Sequence, residues 1–419
     1  MKRSTTALAA ALTLTAFSTN AAELRMSWWG GDSRHQATQA GLEVCGAKYG
    51  HSIKPEFTGW GGHLEKVTTQ LAGRTEADIM QINWPWLPFF SKDGTGFADI
   101  NALSDIVDLS NLSADQIAAG TMNGKLNGLP VSTTGRVFWF NKSTFDKAGL
   151  ALPTTWEELI AAGPVIAEKV GENVYPFEGI KLDAALLVQN YLTQITGKSF
   201  IDDATLTVAW SEDELAEGIA FYQTLVDNHV MQDWKSYAGA GNVKLHENPL
   251  WADGTIGGSY QWDSSYFKFA DALNEGQELV PAGLLTTEKG SNTGVYRKAS
   301  MVFAISANSD NKEAAAQIVN CMLNEKEGIA ALGTARGLPA SQAALAQLTS
   351  NGEIDAVQKL ANDQVIAAAA PVISPFVEHP EVQSAFEDAL ELFAYGEIDA
   401  AEAASDIVYI ANEALENYR

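Results

Sequence analysis

Five of the eleven tryptophans lie between residues 28 and 86, and each one ends or follows a short apolar run. An indole ring stacks on the C–H face of a pyranose, and glycine lets a ligand approach backbone N–H groups. Any single tryptophan could equally fill the core. Grouped with glycine at three segments, they favour a carbohydrate site that includes Trp28, Trp29, Gly30, Gly31, Trp60, Trp84 and Trp86.

Polar side chains occur beside the same three segments and at one later strand. Six of them are candidate ligand contacts: Arg34, His35, His63, Asn83, Lys92 and Arg136. Polar groups that converge on one rim suit a polyol, and the fork of an arginine binds a carboxylate through two parallel hydrogen bonds. Each residue alone is more typical of solvated surface, but together they predict a polar rim around an aromatic floor.

Sequence signatures of catalysis are missing. The chain has no G-x-S-x-G, H-E-x-x-H or Walker motif, and its six histidines have no metal-ligand spacing. Acidic clusters such as Asp202-Asp203 are typical of helix starts and solvated faces. We therefore predict no catalytic residue, metal or cofactor. Spacing alone does not identify an acid/base pair, so a secreted glycosidase or lyase stays open as an alternative.

The elements that position these residues alternate between strand and helix. Residues 24–29, 53–57 and 77–82 have the pattern of strands, and helical periodicity fills the gaps between them. This order predicts an α/β fold with a parallel sheet, in which ligands gather beyond the carboxyl ends of the strands. Further strands are expected at 129–141, 255–262 and 299–305, helices at 156–170, 183–196, 212–229 and 312–323, and a helical C-terminus from 341 onward.

The N-terminus and the composition limit where the chain works. Lys2 and Arg3 precede an apolar run at 7–17 and small residues, which predicts a signal peptide at 1–22 and export to the periplasm. The formal net charge of −25 disfavours binding to nucleic acid or to an anionic membrane. No later apolar run is long enough to span a bilayer. A mature chain of this length predicts two lobes or domains.

Cys45 and Cys321 are the only cysteines. Each lies in an apolar helical pattern, where a free buried thiol is common. Export would permit a single disulfide. Free thiols are the favoured interpretation, with the disulfide as the alternative.

Several motifs together resemble the family 1 extracellular solute-binding proteins of bacterial ABC transporters. They are GRTEADI at 73–79, LNGLP at 126–130, FWFNK at 138–142, FDKAGL at 145–150 and PTTWEEL at 153–159. Ala77 stands where the family usually has proline. The resemblance covers the mature chain and implies a monomeric receptor that delivers its ligand to an inner-membrane ABC permease. A binding protein that signals through a chemoreceptor would share these features.

Other segments are similar to the oligogalacturonide-binding subgroup of that family. They are MSWWGG at 26–31, TGW at 58–60, NWPWLP at 83–88, FSKDGTGF at 90–97 and GTARGLPA at 333–340. This similarity implies a short oligomer of galacturonic acid as ligand, with Arg34, Arg136 and Arg336 pairing with its carboxylates. Trp262 would be a stacking ring on the second lobe. A neutral oligosaccharide is the alternative ligand.

The family fold implies two α/β lobes around a ligand cleft, joined by three crossover strands. We expect lobe one at 23–140 and 296–345, and lobe two at 141–295 and 346–419. Closure of the lobes would enclose the sugar, and the permease would recognise the closed state.

Overall fold

The structure is a computed structural model, and it describes residues 21–290, 294, 296–368 and 373–419. Residues 1–20 of the predicted signal peptide lie outside this range. The strands are β1 Glu23–Trp29, β2 Ser52–Thr58, β3 Ile79–Asn83, β4 Thr121–Met122, β5 Lys125–Leu126, β6 Leu129–Pro130, β7 Thr133–Asn141, β8 Ile201–Asp202, β9 Thr207–Val208, β10 Gly258–Trp262, β11 Leu279–Pro281, β12 Arg297–Ala299 and β13 Met301–Ile305.

Helices make up most of the remaining elements. They are α1 Asp32–Tyr49, α2 His63–Gly73, α3 Leu87–Phe90, α4 Ala114–Ala119, α5 Lys142–Ala148, α6 Trp156–Lys169, α7 Leu182–Thr196, α8 Glu212–Asp227, α9 Trp234–Gly239, α10 Pro249–Ala252, α11 Tyr266–Ala270, α12 Lys312–Asn324, α13 Lys326–Leu332, α14 Gln342–Asn351, α15 Ala356–Ala367, α16 Pro380–Tyr395 and α17 Ala400–Glu416. Short 3-10 helices lie at Trp84–Trp86, Ile100–Leu103, Leu109–Asn111, Leu245–Glu247, Asp263–Ser265 and Pro375–Glu378.

The first sheet has five strands in the order β2-β1-β3-β13-β6. Strand β1 runs parallel to both β2 and β3, which confirms the parallel arrangement predicted for these three strands. The carboxyl ends of β1, β2 and β3 therefore lie on one edge of the sheet. Strand β13 is antiparallel to its neighbours β3 and β6, so the complete sheet is mixed.

The second sheet is organised around β7. Strands β10, β11 and β12 all pair antiparallel to it, along different parts of its length. Phe138 and Phe140 pack into one core on one face of β7, and Val137 and Trp139 pack into another core on the opposite face. This alternation is the period of two that a strand imposes on its side chains.

Three chain segments cross side by side between the two sheets. The predicted strand 129–141 is split, because β6 pairs in the first sheet and β7 pairs in the second. The predicted strand 299–305 is split in the same way into β12 and β13. Ser300 N donates to Ser132 O over 2.9 Å, and Ala340 N donates to Val131 O over 2.8 Å, which places the third segment beside the other two.

The apolar cores follow the two sheets. One large core is built from residues between 22 and 131 and between 301 and 332. The other is built from residues between 138 and 296 and between 373 and 415, with α7, α8, α16 and α17 packed together. Two α/β lobes joined by crossing strands, with a helical C-terminus, are the fold class that the sequence predicts. In the described part of the chain, no helix combines the length and the apolar character needed to cross a membrane.

Cys45 on α1 and Cys321 on α12 form a disulfide with a Cα–Cα distance of 5.8 Å. The preference for free thiols was therefore wrong. Both cysteines are fully buried, as a helical pattern indicates. The pattern cannot reveal that the buried faces of α1 and α12 pack against each other, because 276 residues separate the two cysteines.

Candidate ligand-binding site

Three tryptophan rings and one imidazole gather at the carboxyl edge of the first sheet. Trp29, at the end of β1, lies 5.3 Å from Trp60, 5.7 Å from Trp86 and 5.2 Å from His63, measured between ring centroids. Trp60 stacks on Trp86 at 5.4 Å and is 42% exposed, whereas Trp29 and Trp86 are buried. The group therefore offers one accessible ring, that of Trp60, on a supporting layer of aromatic side chains.

Trp28 lies apart from that group. It neighbours Trp29 on a strand, so its side chain points to the opposite face of the sheet. There it is fully buried, its Nε1 donates to His35 Nδ1 over 3.1 Å, and its ring packs 5.1 Å from that of Phe57. This position does not fit the expectation that Trp28 stacks on a ligand, and His35 is occupied as its hydrogen-bond partner.

His63 supports the aromatic group and has no exposed surface of its own. Its Nδ1 lies 2.9 Å from Thr58 Oγ1, and its side chain is fully buried. Burial lowers the pKa of His63 to about 4, so the ring is neutral at pH 7. The sequence predicted that His63 contacts the ligand as a polar group. In the structure its ring instead packs against those of Trp29 and Trp86.

Asn83 is part of a buried network between the lobes. Its Nδ2 donates to Glu378 Oε2 over 2.7 Å, and its Oδ1 accepts from Lys298 Nζ over 2.9 Å. Lys298 Nζ also lies 2.5 Å from Glu378 Oε1. The network joins the end of β3 to β12 and to the 3-10 helix at 375–378. Both polar atoms of the Asn83 side chain are already engaged.

Two further predicted contacts lie on the rim. Trp84 is half-buried, and its Nε1 donates to the Ala119 carbonyl over 2.8 Å. Lys92 Nζ donates over 2.7 Å to the carbonyl of Asn417, just past α17, and lies 5.3 Å from the centroid of the Tyr418 ring. Lys92 therefore connects the edges of the two lobes.

Arg34 and Arg336 lie near each other, and the stem of Arg34 packs against Gly30. Arg34 donates from Nε to the Ala335 carbonyl over 3.2 Å, and burial lowers its pKa to about 10. Arg336 donates from Nε to Gln81 and from Nη2 to Thr38, both neutral side chains.

The described residues provide no carboxylate for either guanidinium and no partner for Arg336 Nη1. Burial and the charge of Arg34 lower the pKa of Arg336 well below its usual value. Both cations are thus buried beside neutral groups, an arrangement that an anion would compensate.

Arg136 differs from those two arginines because it already has a carboxylate. It is 1% exposed, its Nη2 contacts Asp183 Oδ1, and it donates to Gln261 Oε1 over 3.2 Å. Its guanidinium lies 5.1 Å from the Trp262 ring and 5.2 Å from the Tyr260 ring. Arg136 and the half-buried Trp262 thus form a wall on the side of the second sheet.

Sequence reasoning missed two ionisable residues, Lys268 beside Gly31 and Glu178 beside Ser259 on β10. Burial, followed by the charge of Arg34, lowers the pKa of Lys268 on α11 to about 8. Burial, followed by the charge of Asp183, raises the pKa of Glu178 to about 8, so this carboxyl is mostly protonated at neutral pH. Neither residue belongs to a motif. Lys268 and Glu178 come near the predicted site only through tertiary folding, which the local sequence does not reveal.

Two α/β lobes, with aromatic rings at the sheet edge and two arginines that lack a carboxylate partner in the described part of the chain, are typical of a two-lobed binding protein. A family model described as bacterial extracellular solute-binding protein matches residues 36–329, and the chain belongs to this family. The resemblance found in the sequence is therefore confirmed.

Comparison with solved structures is more specific. An oligogalacturonide-binding protein of Yersinia enterocolitica in complex with saturated digalacturonic acid is 37% identical to this chain. It superposes with a TM-score of 0.91 over 94% of this chain and 99% of that one. A periplasmic solute-binding protein of Pectobacterium atrosepticum, ECA2210, is 36% identical with a TM-score of 0.89 over the same shares.

Another structure of the oligogalacturonide-binding protein from Y. enterocolitica, 36% identical over the same shares, superposes with a TM-score of only 0.73. The TM-score is therefore higher for the complex with digalacturonic acid than for this second structure.

Proposed function

We propose that this protein captures a short oligogalacturonide in the periplasm and delivers it to an ABC permease. The observation that carries the proposal is the pair of buried guanidinium groups, Arg34 and Arg336, that have no carboxylate partner among the described residues. The digalacturonic acid bound by the Y. enterocolitica relative supports the same class of ligand.

A uronate suits this arrangement physically. A buried cation is costly unless an anion or several hydrogen-bond acceptors compensate it, and a carboxylate binds an arginine through two charge-assisted hydrogen bonds. The exposed ring of Trp60 and the half-buried ring of Trp262 would stack on pyranose faces. A neutral oligosaccharide could use the rings but would leave the cations uncompensated.

The proposal includes the lobe boundaries and the mode of action. Lobe one is assigned to 23–140 and 296–345, and lobe two to 141–295 and 346–419. They would close on the sugar as a monomer and present the closed form to the permease. The family and the structural neighbours named above are binding proteins, which favours capture without catalysis over a secreted glycosidase or lyase.

Titration calorimetry tests the ligand class. We expect digalacturonate to bind with a Kd of about 1 µM or tighter, and its dimethyl ester and maltose to bind at least about 10-fold more weakly. Incubation with pectic oligomers should release no new reducing ends. Tight binding of maltose without binding of any uronate would contradict the pectic assignment, and accumulating product would identify an enzyme.

A further inference from the structure

Lys268 approaches the cationic edge of lobe one from the other side of the cleft. It lies on α11, which packs through Phe269 into the core on the β7 face formed by Val137 and Trp139. A Cβ atom placed on Gly31 would stand 3.9 Å from Lys268 Cγ, so the lysine stem lies against the residue that precedes α1. Arg34 lies in the first turn of α1, with its stem against Gly30.

The charged groups around Lys268 leave a local excess of positive charge. The positive charge of Arg34 disfavours the protonated form of Lys268, and the negative charge of Asp183 favours it. Asp183, however, is engaged by Arg136. Earlier in the chain, Lys244 and Glu247 act on Lys268 in opposite directions and pair with each other at 3.3 Å.

We propose that Lys268 makes lobe closure depend on the charge of the ligand. Closure brings this ammonium group to the Arg34 side of the cleft, where like charges repel unless an acidic group lies between them. A uronate carboxylate supplies that group, and a neutral sugar of the same shape does not. The proposal rests on the proposed function and adds a cause for selectivity: the cation on lobe two penalises closure on neutral ligands.

Charge and shape can be separated by substitution at this one position. Lys268→Met keeps an unbranched stem of nearly the same length and removes its charge, and Lys268→Arg keeps the charge. Lys198→Met is the matched control, because this exposed lysine pairs with Glu214 beyond the far end of α7, about 20 Å from Asp183 at the start of that helix.

The experiment measures the Kd of each variant for digalacturonate and for its dimethyl ester. We expect the preference for the acid over the ester to fall at least about 10-fold in Lys268→Met and to persist in Lys268→Arg and Lys198→Met. An unchanged preference in Lys268→Met would overturn the proposal, whether both affinities fall together or neither changes. Wild-type protein that shows no preference for the acid would instead overturn the proposed function, and this inference with it.

Small-angle X-ray scattering without ligand gives an independent readout. Removing the repulsion should favour the closed form, so ligand-free Lys268→Met should have a smaller radius of gyration than the ligand-free wild type. Lys198→Met should match the wild type. Equal radii for Lys268→Met and the wild type would contradict coupling between charge and closure, even if Lys268 contacts the sugar.

Discussion

Trp28 and Trp29 are adjacent in the sequence and have different surroundings. Trp29 supports the exposed ring of Trp60, whereas Trp28 is sealed into the core of lobe one. A tryptophan that contacts ligand and a tryptophan that fills a core respond differently to truncation. The difference in position therefore makes a pair of contrasting substitutions informative.

We expect Trp60→Ala to weaken binding of digalacturonate by about 1–3 kcal/mol with little change in stability, because its ring is partly exposed. Trp28→Ala should lower the free energy of unfolding by about 3–5 kcal/mol, because it leaves a cavity in a closed core. Calorimetry and denaturant unfolding measure the two effects. Unchanged affinity in Trp60→Ala would assign the ring a structural role.

At the scale of elements, the crossing segments carry a buried ion pair. Lys298 on β12 and Glu378 in the 3-10 helix at 375–378 are nearly inaccessible, and Asn83 bridges them from β3. Tyr296 OH donates to Glu378 Oε1 over 3.1 Å. Because the partners come from three separate segments, this network fixes how β3, β12 and the C-terminal part of the chain fit together.

Glu378→Gln should destabilise the protein by about 3–5 kcal/mol, because it leaves the ammonium group of Lys298 buried without a counter-charge. The double variant Glu378→Gln/Lys298→Met removes both charges and should recover much of that loss. Denaturant unfolding of the two single variants and the double variant provides the test. Losses that simply add would mean that the two residues do not act as a pair.

The elements themselves were largely predictable from the sequence. Apolar periodicity and cap residues predicted the helices near 156–170, 183–196, 212–229 and 312–323 within a few residues, because these signals are local. The split of 129–141 into β6 and β7 was missed, because both parts are apolar and only their pairing with β13 and β12 separates them.

The candidate site was predictable only in part, because local signals are visible in the sequence and tertiary contacts are not. Strand ends and glycines placed the first-lobe segments at one edge, but the period of a strand does not tell which of Trp28 and Trp29 faces the core. Lys268 carries no motif, and Asn83 is engaged by residues more than 200 positions away. Such contacts depend on tertiary packing that the local sequence does not encode.

The whole molecule is acidic, with a formal charge of −25, yet Arg34 lies close enough to both Arg336 and Lys268 to act on their charges. The global field would repel the proposed anionic sugar, and these local cations would attract it. Specific short-range contacts must therefore supply the affinity.

Buried histidines should make the fold sensitive to acid. An unfolded histidine takes up a proton below about pH 6.5, but burial holds the pKa of His63 and of His246 near 4. Between pH 6.5 and 4 the unfolded state thus binds more protons, and stability falls as the pH falls. His63 alone accounts for up to about 3 kcal/mol of this loss.

Denaturant unfolding at several pH values measures this effect. His63→Gln should show a smaller loss of unfolding free energy between pH 6.5 and 4 than the wild type does, whatever its stability at pH 7. The difference between the two proteins is the relevant quantity, because protonation of carboxylates also changes the repulsion within an acidic chain. Identical pH profiles would show that the pKa of His63 does not differ between the folded and the unfolded state.

A crystal structure of the protein with digalacturonate tests most directly the claim that buried cations between two lobes hold an acidic sugar. We expect closed lobes, a uronate carboxylate within about 3 Å of Arg34 or Arg336 with Lys268 on its opposite side, and a pyranose ring stacked on Trp60 or Trp262. A sugar bound outside the cleft, or carboxylates that face solvent away from these cations, would contradict the account.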